Sequence, residues 1–148
     1  MGKATISGGT RWKAYLERLA KKVEVRAGVM EDATTDEGER VAEYAAYNEF
    51  GTSRVPPRPF MRKTLERERE NWIRGVGALL KNGLSPDEAL EKTGKRMAEN
   101  IEATIMSNMA PANAPSTIRR KNRTEAGRAG TLVDTGALLK SITHQVPK

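Results

Sequence analysis

The chain has 148 residues and a formal net charge of +7, with 30% charged and only 5% aromatic residues. This length suits one domain with one modest apolar core. The absence of cysteine excludes disulfides, thiolate nucleophiles and cysteine-rich zinc sites, and it favours a reducing compartment. No apolar run is long enough for a secretion leader or for a membrane span of about 20 residues, so we predict no membrane partner and no export.

The first third of the chain predicts three short elements. Aromatic and leucine side chains recur every three or four residues at 10–22, which predicts an amphipathic helix. Residues 23–29 alternate apolar and polar side chains, which predicts a half-buried strand, and a polar loop follows at 32–38. Residues 39–50 fit one helical face, although the valine and tyrosines there also suit a strand. We favour a short helix that ends before Gly51.

Two long helices are predicted in the middle of the chain. Residues 60–81 carry apolar side chains on one side and charged ones on the other, which predicts a helix about 33 Å long. The run Ser85-Pro86-Asp87-Glu88 marks the start of the next helix, because the serine oxygen accepts from a first-turn amide and Glu88 completes a capping box. The tight turn at Asn82-Gly83 makes the two helices antiparallel.

Residues 109–133 contain prolines, glycines and alanines without an apolar period, so we predict a long basic loop there. The segment 116–130 contains five basic residues and one acidic residue, which gives it a net charge of +4. They are Arg119, Arg120, Lys121, Arg123 and Arg128. Such a cluster attracts a polyanion such as DNA, but a solvated charged loop has the same composition.

The end of the chain predicts one more short helix, capped by Asp134 and running through Leu138 and Leu139 towards Ile142, before an extended stretch at 143–146. Together the elements predict a single α+β domain spanning residues 1–148. It has a small antiparallel sheet, two long antiparallel helices and shorter terminal helices.

Catalytic constellations are weak in this sequence. Asp134-Thr135-Gly136 reads like the aspartate loop of retroviral proteases, but it lies near the end of a mostly helical chain, so a helix cap is the better interpretation. His144 is the only histidine, and no histidine or carboxylate pair has metal-ligand spacing. The paired acids within residues 31–37 are interpreted as solvated carboxylates. We therefore predict no enzyme, no metal and no cofactor.

Residues 48–60 combine a polar-aromatic helix end, a glycine stop and a proline-stiffened arm. Phe50 and Phe60 stand on this arm, whose conformational entropy is already reduced before any partner binds. Both are predicted anchors for a neighbouring subunit, although both could instead fold back onto their own core. The predicted interface comprises Asn48, Glu49, Phe50, Pro56, Pro57, Arg58, Pro59 and Phe60.

These residues also carry a resemblance. The runs AAYNEFGT at 45–52 and VPPRPFMR at 55–62 resemble the neck and tail-completion proteins of long-tailed bacteriophages, also described as virion-morphogenesis or minor tail proteins. Further similar runs, in the same order as in the family, are residues 25–29, 114–121, 132–138 and 141–142. Together they are spread along the chain from residue 25 to residue 142.

The resemblance implies an α+β subunit of a ring, with sixfold symmetry expected, between the head connector and the tail terminator or tail tube. Genomic DNA would pass through its lumen without sequence-specific contacts. Phe50, residues 56–60 and the basic loop would contact neighbouring subunits or adjacent rings. The chain would be located in the virion and, during assembly, in the host cytoplasm. Two alternatives stay open: a tail terminator ring, and a stand-alone basic nucleic-acid-binding protein.

Overall fold

The structure, a computed structural model, describes residue 14 and residues 23–123, 130–133 and 135–147. Its elements in chain order are strand β1 (Arg26–Val29), helices α1 (Val41–Phe50), α2 (Phe60–Lys81), α3 (Pro86–Met106), α4 (Pro115–Lys121) and α5 (Ala137–Lys140), and strand β2 (Ile142–Gln145). Apart from residue 14, the predicted helix at 10–22 lies outside the described residues, as do Arg128 and Asp134. The α+β class with a small antiparallel sheet and two long helices is confirmed.

Helices α2 and α3 form the predicted antiparallel hairpin, and both signals at their junction are observed. The amides of Gly83 and Leu84 donate back to carbonyls in the last turn of α2, with Gly83 at a φ of +88°. This is the glycine-dependent helix stop. The Ser85 hydroxyl then accepts from the Glu88 amide at 3.3 Å, and the Glu88 carboxylate accepts from the Ser85 amide at 2.9 Å. The capping box is therefore complete.

Strands β1 and β2 pair antiparallel, from Arg26 opposite Gln145 to Val29 opposite Ile142. The ribbon packs on α3 at Gly94, where an added Cβ would lie only 2.6 Å from the His144 ring. His144 also binds α3 through its Nε2 atom, which lies 2.8 Å from a Glu91 carboxylate oxygen. A two-stranded ribbon needs such support, since isolated hairpins are marginally stable. Glycine at position 94 provides the close approach.

The apolar core lies at the base of the hairpin, where α2 begins and α3 ends. Its fully buried side chains include Val41, Phe60, Ile105 and Leu132, which come from four different segments. Along α2 the only fully buried residues are Phe60 and Thr64, both in the first turns. The rest of α2 therefore pairs with α3 beyond the core, with one face open to solvent.

Of two predictions for the last third of the chain, one is wrong and the other is confirmed in part. Residues 109–133 are not a loop throughout, because they contain α4. This helix needs no apolar period: Pro115 occupies its first turn, and contacts of its last residue with residues 130–131 hold it in place. The final helix is present at Leu138 and Leu139 as predicted, but it stops at Lys140, because Ile142 begins β2. Gly136, with a φ of +84°, stands at the N-cap position of that helix.

Candidate subunit interface

The arm at residues 48–60 folds back against the end of α1. The Arg58 amide donates to the Asn48 carbonyl at 2.6 Å, and the residues between them form a turn at 52–55. Gly51 has a φ of +77°, and an added Cβ would lie 2.9 Å from the Pro57 ring. The left-handed backbone and the close approach both require glycine here. The glycine and the prolines therefore serve first to close this loop onto its own helix.

Glu49 supplies the cap that α2 otherwise lacks. The N-cap residue, Pro59, has no side-chain acceptor. The Glu49 carboxylate instead accepts from the Met61 and Arg62 amides at 2.9 and 3.2 Å, and from Arg62 Nε at 2.9 Å. Its side chain is only 8% exposed. A carboxylate on the first amides of a helix also opposes the positive end of the helix dipole, so Glu49 joins α1 to α2 electrostatically.

Phe60 and Arg58 are not the outward contacts predicted from the sequence. Phe60 is fully buried, with 0% of its surface exposed, and the prediction that it anchors a neighbour is wrong. Arg58 is buried as well, and its guanidinium donates to the carbonyls of Pro111 and Ala112 at 2.8 and 3.2 Å. Pro59 between them is half-buried. Burial of an aromatic ring outweighs the stiffness of the arm, and so directs this end inward.

Phe50 has the exposure expected of an interface anchor. Its side chain is 71% exposed, and Tyr47, one turn earlier on α1, is 52% exposed. The Arg62 guanidinium lies over the Phe50 ring, with its central carbon 5.4 Å from the ring centroid. Pro56 and Pro57 are also exposed. Of the predicted interface, only Phe50, Pro56 and Pro57 are therefore exposed, whereas Asn48 and Glu49 are buried.

The predicted basic cluster is divided by the fold. Lys121 is buried, and its ammonium donates to the carbonyls of Gly130 and Thr131 at 3.0 and 2.7 Å. Arg119 and Arg123 are exposed, whereas Arg128 lies outside the described residues. A lysine that holds two carbonyls in the interior is not available to a polyanion. The cluster is therefore a weaker DNA-binding surface than its net charge suggests.

Arg120, the remaining member of the cluster, lines a cavity of about 300 Å³ at the start of α1. The acidic side chains around this cavity are Asp36, Glu37 and Glu39, and its apolar lining includes Tyr44, Leu132 and Leu138. The sequence indicated only solvated carboxylates here. No local pattern could have placed them over leucines that follow about a hundred residues later, because that contact is formed by the tertiary fold alone.

Comparisons of the chain with protein-family models, with curated proteins and with solved structures find no match. Within the ranges that the structure describes, no group of three or more histidine, cysteine or carboxylate residues could hold a metal ion. In the same ranges, no helix combines the length and the apolarity that a membrane span requires.

Proposed function

We propose that this chain is a non-enzymatic structural subunit of the head–tail junction of a long-tailed bacteriophage, where it forms a tail-completion ring. The observation that carries the proposal is the 71% exposure of Phe50 at the end of a rigidly held helix. The resemblance of residues 45–62 to neck and tail-completion proteins supplies the biological context. The proposed location is the virion, after assembly in the host cytoplasm.

The end of α1 is suited to an interface because it is already ordered. Val41 and Ala45 bury one side of the helix in the core, and the Arg58 amide holds its last turn. Arg62 is held in turn by the Glu49 side chain and carbonyl at 2.9 Å each, which positions its guanidinium over Phe50. A partner therefore meets an aromatic and an arginine that need little further ordering, and residues of these types dominate interface energetics.

In the proposed ring, each contact is repeated by symmetry around the lumen through which the genome passes. A sixfold ring is expected from the family resemblance, with the head connector on one side and the tail terminator or tail-tube proteins on the other. The net charge of +7 suits a passage for DNA that is attracted without being held by specific base contacts. A tail terminator ring is the nearest alternative within the same assembly.

The direct test uses particles whose genome lacks this gene and is complemented in trans. Wild-type chain should restore joined particles, and electron microscopy should locate it at the neck in a constant number of copies. Phe50→Ala should leave separate heads and tails, because the anchor is lost while the fold is kept. Ile73→Ala, which removes a 62% exposed apolar side chain from the middle of α2, is the matched control and should behave as wild type.

Two results would contradict this proposal in different ways. Location of the subunit anywhere other than the head–tail junction would exclude the function itself. Normal infectious particles with Phe50→Ala would leave the location intact but remove Phe50 as the anchor.

The rival is a stand-alone nucleic-acid-binding protein that uses Arg119 and Arg123, two exposed members of the basic cluster that do not line the cavity. It predicts tight duplex binding whose affinity falls steeply with salt, and a shallower salt dependence in the double alanine variant. A ring subunit should bind duplex DNA weakly, with little change in that variant. Fluorescence anisotropy with a labelled duplex at several salt concentrations separates the two.

A further inference from the structure

The cavity at the start of α1 has the composition of a socket for a basic, apolar protrusion. Three carboxylates, those of Asp36, Glu37 and Glu39, line its approach against one guanidinium, that of Arg120, so the lining has a net charge of −2 at neutral pH. All three acidic residues are exposed. Apolar side chains, among them Leu132, line the interior. A volume of about 300 Å³ accommodates one aromatic side chain.

The other end of α1 carries the complementary protrusion. Phe50 is exposed, the Arg62 guanidinium covers one face of its ring, and Tyr47 lies one turn away. Arg54, in the following turn, and Lys63, beside Arg62, are exposed basic residues. An aromatic side chain that carries a guanidinium on one face, with further exposed basic residues close in sequence, is the group that an apolar cavity with an acidic rim would select.

One subunit cannot join these two surfaces to each other. Tyr44 lines the cavity and Phe50 stands six residues later, which places them about 9 Å apart along the helix axis and turned by about 120° around it. Helix α1 is held against the core between them by Ala45. The socket and the protrusion therefore face different directions, and each is open to a second molecule.

We infer that Phe50 of one copy of this chain inserts into the acid-rimmed cavity of the next copy, with Arg54 and Lys63 facing the carboxylates of its rim. Such a contact joins two different surfaces, so it is heterologous and propagates until a ring closes. The inference deepens the proposed function and rests on it for the ring, whereas the contact itself can be tested without any virus particle. Because the charges around it are exposed, the contact should weaken as salt is raised.

The test uses the full purified chain and two variants, each of which damages one surface. Phe50→Ala removes the protrusion and keeps the socket. The double variant Asp36→Lys with Glu37→Lys reverses the rim and keeps the protrusion. Each should raise the dissociation constant of the contact at least about tenfold and sediment as a monomer under conditions in which the wild type assembles. Ile73→Ala should assemble as the wild type does, and far-ultraviolet circular dichroism should match for all chains.

Mixing the two variants gives the sharper result. The intact socket of the Phe50→Ala chain and the intact protrusion of the rim-reversed chain form one good contact, so the mixture should yield a one-to-one dimer and no larger species by native mass spectrometry. An isologous interface, which uses the same patch twice, would not produce this pairing. A mixture that stays monomeric, a wild type that does not assemble, or a variant that assembles normally overturns the inference.

The outcomes also separate this inference from the proposed function. Rings that persist in both variants, with the subunit still at the neck, exclude the Phe50 contact and leave the function standing. Specific pairing of the two variants, with the subunit absent from the neck, supports the contact and excludes the function. Phe50 could instead bind an acid-rimmed cavity on another neck protein. In that case Phe50→Ala would prevent the joining of heads and tails although the purified wild-type chain stays monomeric, and this result overturns the inference.

Discussion

The two phenylalanines of this chain provide an internal comparison between burial and exposure. Phe60 is fully buried, whereas Phe50 is 71% exposed, and they stand at the two ends of the same short arm. Replacing Phe60 with alanine removes an aromatic ring from the base of the hairpin and leaves a cavity, which costs about 3–5 kcal/mol of unfolding free energy. Phe50→Ala removes little buried area and one exposed cation–π contact, so its cost should stay below about 1 kcal/mol.

Urea unfolding followed by circular dichroism at 222 nm measures both costs, at a protein concentration low enough to keep the chain monomeric. With a denaturant slope of about 2 kcal/mol per molar urea, Phe60→Ala should lower the midpoint by about 2 M, and Phe50→Ala by less than about 0.5 M. If the urea midpoint of Phe60→Ala lay less than about 0.5 M below that of the wild type, the placement of Phe60 in the core would be refuted. Equal shifts for both variants would refute the contrast between them.

Four further predictions concern contacts that hold the scaffold. Glu49→Gln should lower the unfolding free energy by about 1–2 kcal/mol, because a charged acceptor on the first amides of α2 is lost; an unchanged urea midpoint would contradict that role. Gly94→Ala should destabilise the fold by about 1–3 kcal/mol, because the added Cβ would collide with the His144 ring. Gly77→Ala, whose added Cβ has nothing within 4 Å, should stabilise the fold by about 0.5–1 kcal/mol. Equal shifts of the melting temperature in the two variants would contradict this packing. Ser85→Ala should cost about 1 kcal/mol through loss of the cap of α3. Hydrogen bonds from the Ser85 hydroxyl and then from the Ser85 amide lower the pKa of Glu88. The stability that this pair contributes is therefore present at neutral pH and is lost as the pH falls through that lowered pKa. If the difference in unfolding free energy between the wild type and Glu88→Gln did not change with pH, this prediction would be contradicted.

The hairpin was predictable because its signals are local. Ser85 and Glu88 satisfy each other's amides within four residues, and Gly83 stops the preceding helix without help from the rest of the chain. Amphipathic periods then assign the inner face of each helix. Such interactions depend on sequence separation alone, so they can be recognised before the fold is known.

The arm at 48–60 was only partly predictable for the opposite reason. Its prolines and glycine end every regular period, and so no pattern distinguishes an inward phenylalanine from an outward one. Phe60 turns inward because the core surrounds it, and Arg58 is held by carbonyls 53 and 54 residues away. Glu49 faces the start of α2, and the next residue on the helix, Phe50, projects from a different side of α1 into solvent.

The sequence by itself determined the two long helices and their junction, favoured the short helix before Gly51, and predicted a strand at 23–29 that the structure shows at 26–29. Each of these depends on hydrogen bonds or apolar periods within a few residues. Only the tertiary structure decided that β1 pairs with Ile142–Gln145, that Lys121 is buried, and that acidic residues of the 31–39 loop border a leucine-lined cavity. These features join segments roughly a hundred residues apart, or remove a charge from water, and the energy of such contacts depends on which surfaces the whole fold brings together.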